Sequence, residues 1–159
     1  MTIDFEPGWA ILAGLIGGGV MAAILYMGIF MLPNQMKMNL FMMLGSMMLP
    51  VGAAAFVMGA MAHAGMSVVM GLIHGAVFAA ADIDSAEWAW GLLFGLVHWA
   101  AVGMALGMLP LMHPRIRSGE VDAPGFYALN FPPMTAMGFL MLHLVFGLLV
   151  GVLYGAWAG

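Results

Sequence analysis

His74, His98 and His143 each lie inside a different long apolar run of this 159-residue chain. Imidazole nitrogens in such runs can ligate a metal, carry a proton or hold a haem. Ionisable side chains within membrane-spanning segments are costly, and their default reading is functional. His63, Ser67, Met70 and His74 follow one another at steps of four, three and four, which sets them on one helical stripe. At about 1.5 Å of rise per helical residue, His74 falls about 12 Å from Asp82, His98 about 16 Å from Glu87 and His143 about 21 Å from Trp157. Met70 then comes level with His98 and His143. The spacing predicts a mixed nitrogen and sulfur ligand set of Met70, His74, His98 and His143, with His63 a way station toward the opposite face.

The types of residue narrow the guest. No Asp or Glu falls at mid-membrane depth, which disfavours calcium, magnesium and manganese, since all three want oxygen ligands. Cysteine is absent, so thiolate sites and disulfides are excluded together. Imidazole suits copper, zinc and iron, and thioether shifts the preference toward copper(I). Copper is therefore the expected ion, with zinc or haem as alternatives, the haem held axially by His98 and His143. Twenty methionines include seven pairs four residues apart, Met27/Met31, Met38/Met42, Met43/Met47, Met66/Met70, Met104/Met108, Met108/Met112 and Met137/Met141. This spacing is similar to that in copper-permease membrane proteins, whose three-helix layout the chain does not share. Any single pair also fits a packed helix face, for which methionine is a common filler.

The elements that must position these residues follow from composition. With 65% hydrophobic and 6% charged residues and a mean hydropathy of +1.09, the chain reads as an all-α integral membrane protein forming one domain. Apolar runs at about 9–32, 56–81, 86–112 and 133–158 are long enough to cross a hydrocarbon core of about 30 Å as helices. Residues 33–50 open polar, then turn apolar at Leu40. They predict a short interfacial or re-entrant helix between the first two spans, and residues 113–132 form a loop on the same side. A rival layout makes Leu40 to Ala62 a fifth span.

Charge decides for four. Lys37, Arg115 and Arg117 then share one side, and Asp4, Glu6, Asp82, Asp84 and Glu87 the other. The positive-inside rule puts the lysine and arginine loops in the cytoplasm and both termini outside, in a plasma or inner membrane. The acidic start at Met1 to Glu6 lacks the basic region of a signal peptide, so the first helix is expected to be retained. His63 and His113 fall near the inner interface, where solvation favours a structural role.

Glycines four apart, among them Gly14/Gly18, Gly91/Gly95, Gly103/Gly107 and Gly147/Gly151, suit close helix packing within the bundle or in a homo-oligomer. The net charge of -4 is too small to suggest nucleic acid. No hydroxyl comes with both a base and an orienting carboxylate, so an enzyme is not expected. The functional expectation is metal storage, transfer or transport in the bilayer. Its rival is a non-catalytic accessory subunit of a larger membrane complex.

Overall fold

A computed structural model describes residues 4–158; the start of the acidic segment, Met1 to Ile3, lies outside them. The chain is all-helical, with four helices long and apolar enough to cross a membrane: α1 Pro7–Met31, α3 Ala53–Ala80, α4 Glu87–Met112 and α6 Pro133–Ala158. They make a small four-helix bundle. Large apolar side chains stay exposed on them, Val57, Val69, Val97 and Met141 included, as lipid contact requires while the helices satisfy their own backbone.

Local sequence sets the ends. Pro7 and Pro133 open α1 and α6, where the missing N–H costs nothing. α1 stops short of Pro33, which pushes its predecessor out of helical backbone. α2 is the six-residue helix Leu40–Gly45, and the Asn39 side chain caps it by accepting from the Met42 N–H at 3.1 Å. The run from Leu40 to Ala62 is thus broken, and the fifth span does not form. α5, Pro114–Arg117, follows α4 directly with His113 as its N-cap, an element absent from the sequence expectation.

The chain divides into two compact units, and each long helix contributes a stretch to both. The first unit comprises the chain up to Ala23, Ala64–His98 and the part from Met141 onward. Phe78, Phe146, Val150 and Tyr154 are buried in it, and the Tyr154 hydroxyl accepts from the Glu6 N–H at 3.0 Å. On α1 and α3 the backbones meet at Gly14 and Gly71, where a Cβ on either would run into the backbone of the other helix.

The second unit comprises Ile24–His63 and Trp99–Leu140, with a core of Met38, Met43, Leu106, Ala128 and Phe139. The Tyr26 hydroxyl donates to Asn39 Oδ1 at 2.8 Å and accepts from the Phe41 N–H at 3.0 Å, fastening the approach to α2 onto α1. Thr135 does the same for the preceding stretch, donating to the Gln35 carbonyl at 2.7 Å and accepting from the Lys37 N–H at 3.2 Å. The atoms nearest Gly103 and Gly107 are side-chain rings rather than helix backbone. Their notches receive the rings of Tyr127 and Phe126, presented by a 3₁₀ turn in which Tyr127 and Ala128 take positive φ of 54° and 61°. That is a strained conformation for side-chain-bearing residues, held by the packing around it.

Candidate metal centre

The first unit holds His74, His98 and His143, on α3, α4 and α6. A glycine seam brings two of them together. A Cβ on Gly147 would stand 2.8 Å from the Cα of Gly95, and one on Gly95 would strike the carbonyl of His143. Only bare backbone permits that approach. His98 lies three residues beyond Gly95, and helical side chains lean back over the preceding turn, so its imidazole returns toward the level of His143. The two rings meet edge to face, centroids 4.8 Å apart and planes at 78°. His143 is 3% exposed, and His98 is half-buried.

His74 sits apart from this pair and is prepared differently. Its Nδ1 lies 2.7 Å from the Met70 carbonyl oxygen. Only an N–H can donate to a carbonyl, so the neutral ring carries its lone pair on Nε2. That nitrogen is buried without a hydrogen-bond partner among the described residues, in a residue 2% exposed. A ring fixed through one nitrogen by a backbone carbonyl, with the other nitrogen bare, is the state in which histidine ligates metals. Around it stand Phe94 at 5.5 Å and Phe146 at 5.7 Å, both edge-on. Phe146 also meets His98 at 5.6 Å, so one aromatic ring is the common neighbour of two of the three imidazoles. Gly17 makes room for it, since a Cβ there would come within 3.1 Å of the Phe146 ring.

The predicted ligand set is thus only partly assembled. Among the described residues no three or more of His, Asp and Glu are grouped so as to hold one ion. His98 and His143 converge, whereas His74 is linked to them through Phe146. Met70 engages His74 with its carbonyl. His63 belongs to the second unit, where its ring packs on Phe41 at 5.6 Å. The cause is helix rotation: depth counts fix the level of a residue but not the direction in which it points. Phe146 was missed, although it follows His143 by three residues and so shares its helix face.

His113 corrects a second expectation. It is fully buried in the second unit, where solvation at an interface had been expected. Its Nδ1 accepts from the Ile116 N–H at 3.2 Å. Nε2 then carries the proton and donates to the Met43 carbonyl at 2.8 Å, with Ser46 Oγ at 3.4 Å.

Metal geometry discriminates among guests. With metal to imidazole-nitrogen bonds of about 2 Å, two cis imidazoles put their ring centres roughly 5 Å apart and two trans ones more than about 6 Å apart. The 4.8 Å at His98 and His143 falls in the cis range, as it does in the range of an ordinary edge-to-face ring pair. It leaves no room for a haem between them.

Comparison with known proteins finds no family, no curated protein and no solved structure that matches this chain.

Proposed function

We propose that this is a small polytopic membrane protein that binds a transition-metal ion, copper first, within its helices, and stores it or passes it on. The observation that carries the reading is the convergence of two imidazoles from different helices at a cis-ligand spacing of 4.8 Å. His98 and His143 are the principal ligands. His74 is the next imidazole along, poised by the Met70 carbonyl. Neutral imidazoles in apolar surroundings suit copper, and zinc remains the chemical alternative. The membrane is the plasma or inner membrane, with Lys37, Arg115 and Arg117 on the cytoplasmic side and both termini outside. Glycine faces on the helices suit a homo-oligomer or a place in a larger membrane complex.

One observation favours a second reading. With no third His, Asp or Glu grouped beside the pair among the described residues, His98 and His143 can serve as an interhelical contact in a non-catalytic subunit. Metal content separates the two. Wild-type protein purified in mild detergent is expected to carry about one copper per chain, counted by mass spectrometry. His98→Ala and His143→Ala should each lower the affinity by more than the roughly 10–100-fold typical of losing a supporting residue. Equal metal in all three samples overturns the metal reading and leaves the subunit.

A further inference from the structure

The second unit contains a cavity of about 160 Å³ whose lining the copper reading does not use. Lys37 contributes to it from the stretch between α1 and α2, and Glu120 and Asp122 from the stretch after α5. Met42, Val51 and Phe131 add apolar wall. All these segments join ends of membrane-length helices, the level at which lipid headgroups lie.

The charges in this cavity are not equivalent. Glu120 is engaged: Arg115 donates to its carboxylate at 3.2 Å and Ser118 at 2.8 Å. The Lys37 ammonium and the Asp122 carboxylate make no ion pair and no side-chain hydrogen bond among the described residues. Two opposite charges therefore line one cavity without neutralising each other. Together they offer a partner for an anion and one for a cation, which suits a ligand that carries both signs. Size narrows it further, because pockets for drug-sized molecules run to about 300–1,000 Å³, and this one takes a fragment.

We propose that the cavity binds the phosphoethanolamine headgroup of a membrane phospholipid, its phosphate on Lys37 and its ammonium on Asp122. Met42, Val51 and Phe131 take the glycerol end. A primary ammonium donates charge-assisted hydrogen bonds to a carboxylate, which the quaternary ammonium of phosphocholine cannot. An anionic headgroup would satisfy Lys37 and meet repulsion from Asp122 and Glu120. A metal cation would meet repulsion from Lys37.

Native mass spectrometry of the purified protein with equimolar phosphatidylethanolamine, phosphatidylcholine and phosphatidylglycerol of matched chains tests this. Phosphatidylethanolamine is expected to be retained about tenfold over either rival, the size of one charge-assisted hydrogen bond. Lys37→Gln and Asp122→Asn, both at exposed residues, should each abolish the preference and leave the melting temperature unchanged. Equal retention of the three lipids overturns the proposal, as does a preference for phosphatidylglycerol or an Asp122→Asn variant that keeps the wild-type preference. Free phosphoethanolamine should compete at least about tenfold less well than the lipid, since it leaves the apolar wall unfilled. Competition at parity overturns the lipid as the source. Copper content is unaffected by either substitution, so failure here is distinguishable from failure at His98 and His143.

Discussion

Two histidines, one from each unit, meet the same problem, an imidazole buried among apolar residues, in opposite ways. His113 commits both ring nitrogens, one to the Ile116 N–H and one to the Met43 carbonyl. His74 commits only Nδ1, to the Met70 carbonyl, and keeps a bare buried Nε2. The first arrangement ties α5 to α2 and leaves no lone pair for a guest. The second spends nothing on cross-linking helices and retains a donor nitrogen where a bare polar atom is expensive. Burial alone does not tell how an imidazole is used: His113 engages both ring nitrogens and His74 only one.

The largest effects are expected from removing, in turn, the proposed ligands His98 and His143 and the doubly engaged His113. His98→Ala or His143→Ala should lower copper affinity by more than about a hundredfold, read by competition with a chromophoric chelator, with the melting temperature little changed. His113→Ala should do the reverse. It orphans the Ile116 N–H and the Met43 carbonyl and should lose about 2–3 kcal/mol of stability, while the copper content of the folded fraction stays at the wild-type value. If His113→Ala sheds copper as His98→Ala does, the contrast is wrong.

Glycine substitutions sharpen it next. Gly147→Ala meets the backbone of Gly91 and Gly95 and should cost about 1–3 kcal/mol together with copper, because the same seam sets His143 against His98. Gly59→Ala meets the Phe41 backbone in the second unit. A similar loss of stability is expected there, and thermal melts with metal counts should show copper retained. His74→Ala comes third. With its ring outside the pair, it should weaken copper by about tenfold or less.

The smallest effect concerns Glu120. Hydrogen bonds from Ser118 and then Arg115 hold its carboxyl below the usual value of 4.5. A depressed carboxyl contributes stability that is present above its unfolded value and lost as pH falls through the folded one. The group is exposed, so screening keeps the contribution slight. Carboxyl titration by NMR should give a lower midpoint in wild type than in Ser118→Ala. Equal midpoints would remove the Ser118 contact from the account.

What the sequence disclosed and what it hid divide along physical lines. The four spans were legible because a helix in lipid must be long and apolar. α6 occupies the predicted 133–158, and α1 and α3 begin two and three residues before the expected 9 and 56. The glycine spacings at Gly91/Gly95 and Gly147/Gly151 announced a close contact and made one. The equal spacing at Gly103/Gly107 instead receives aromatic rings, and nothing in the spacing says which partner will arrive. Convergence of the histidines was legible in depth only. Rotation about a helix axis depends on packing: Phe146 on α6 meets Gly17 on α1, His74 on α3 and His98 on α4, a property of four helices at once. His113 was hidden for a related reason: its partners Met43 and Ser46 lie about 70 residues upstream.

X-ray absorption at the copper edge of the copper-loaded protein tests the central claim most directly. Two imidazoles bound to one ion give a first shell of nitrogen at about 2 Å, with the outer-shell scattering of the ring atoms, and His98→Ala should remove that signature. A shell of sulfur alone, or an imidazole signature unchanged in His98→Ala, would contradict the assignment of His98 and His143 as the ligands.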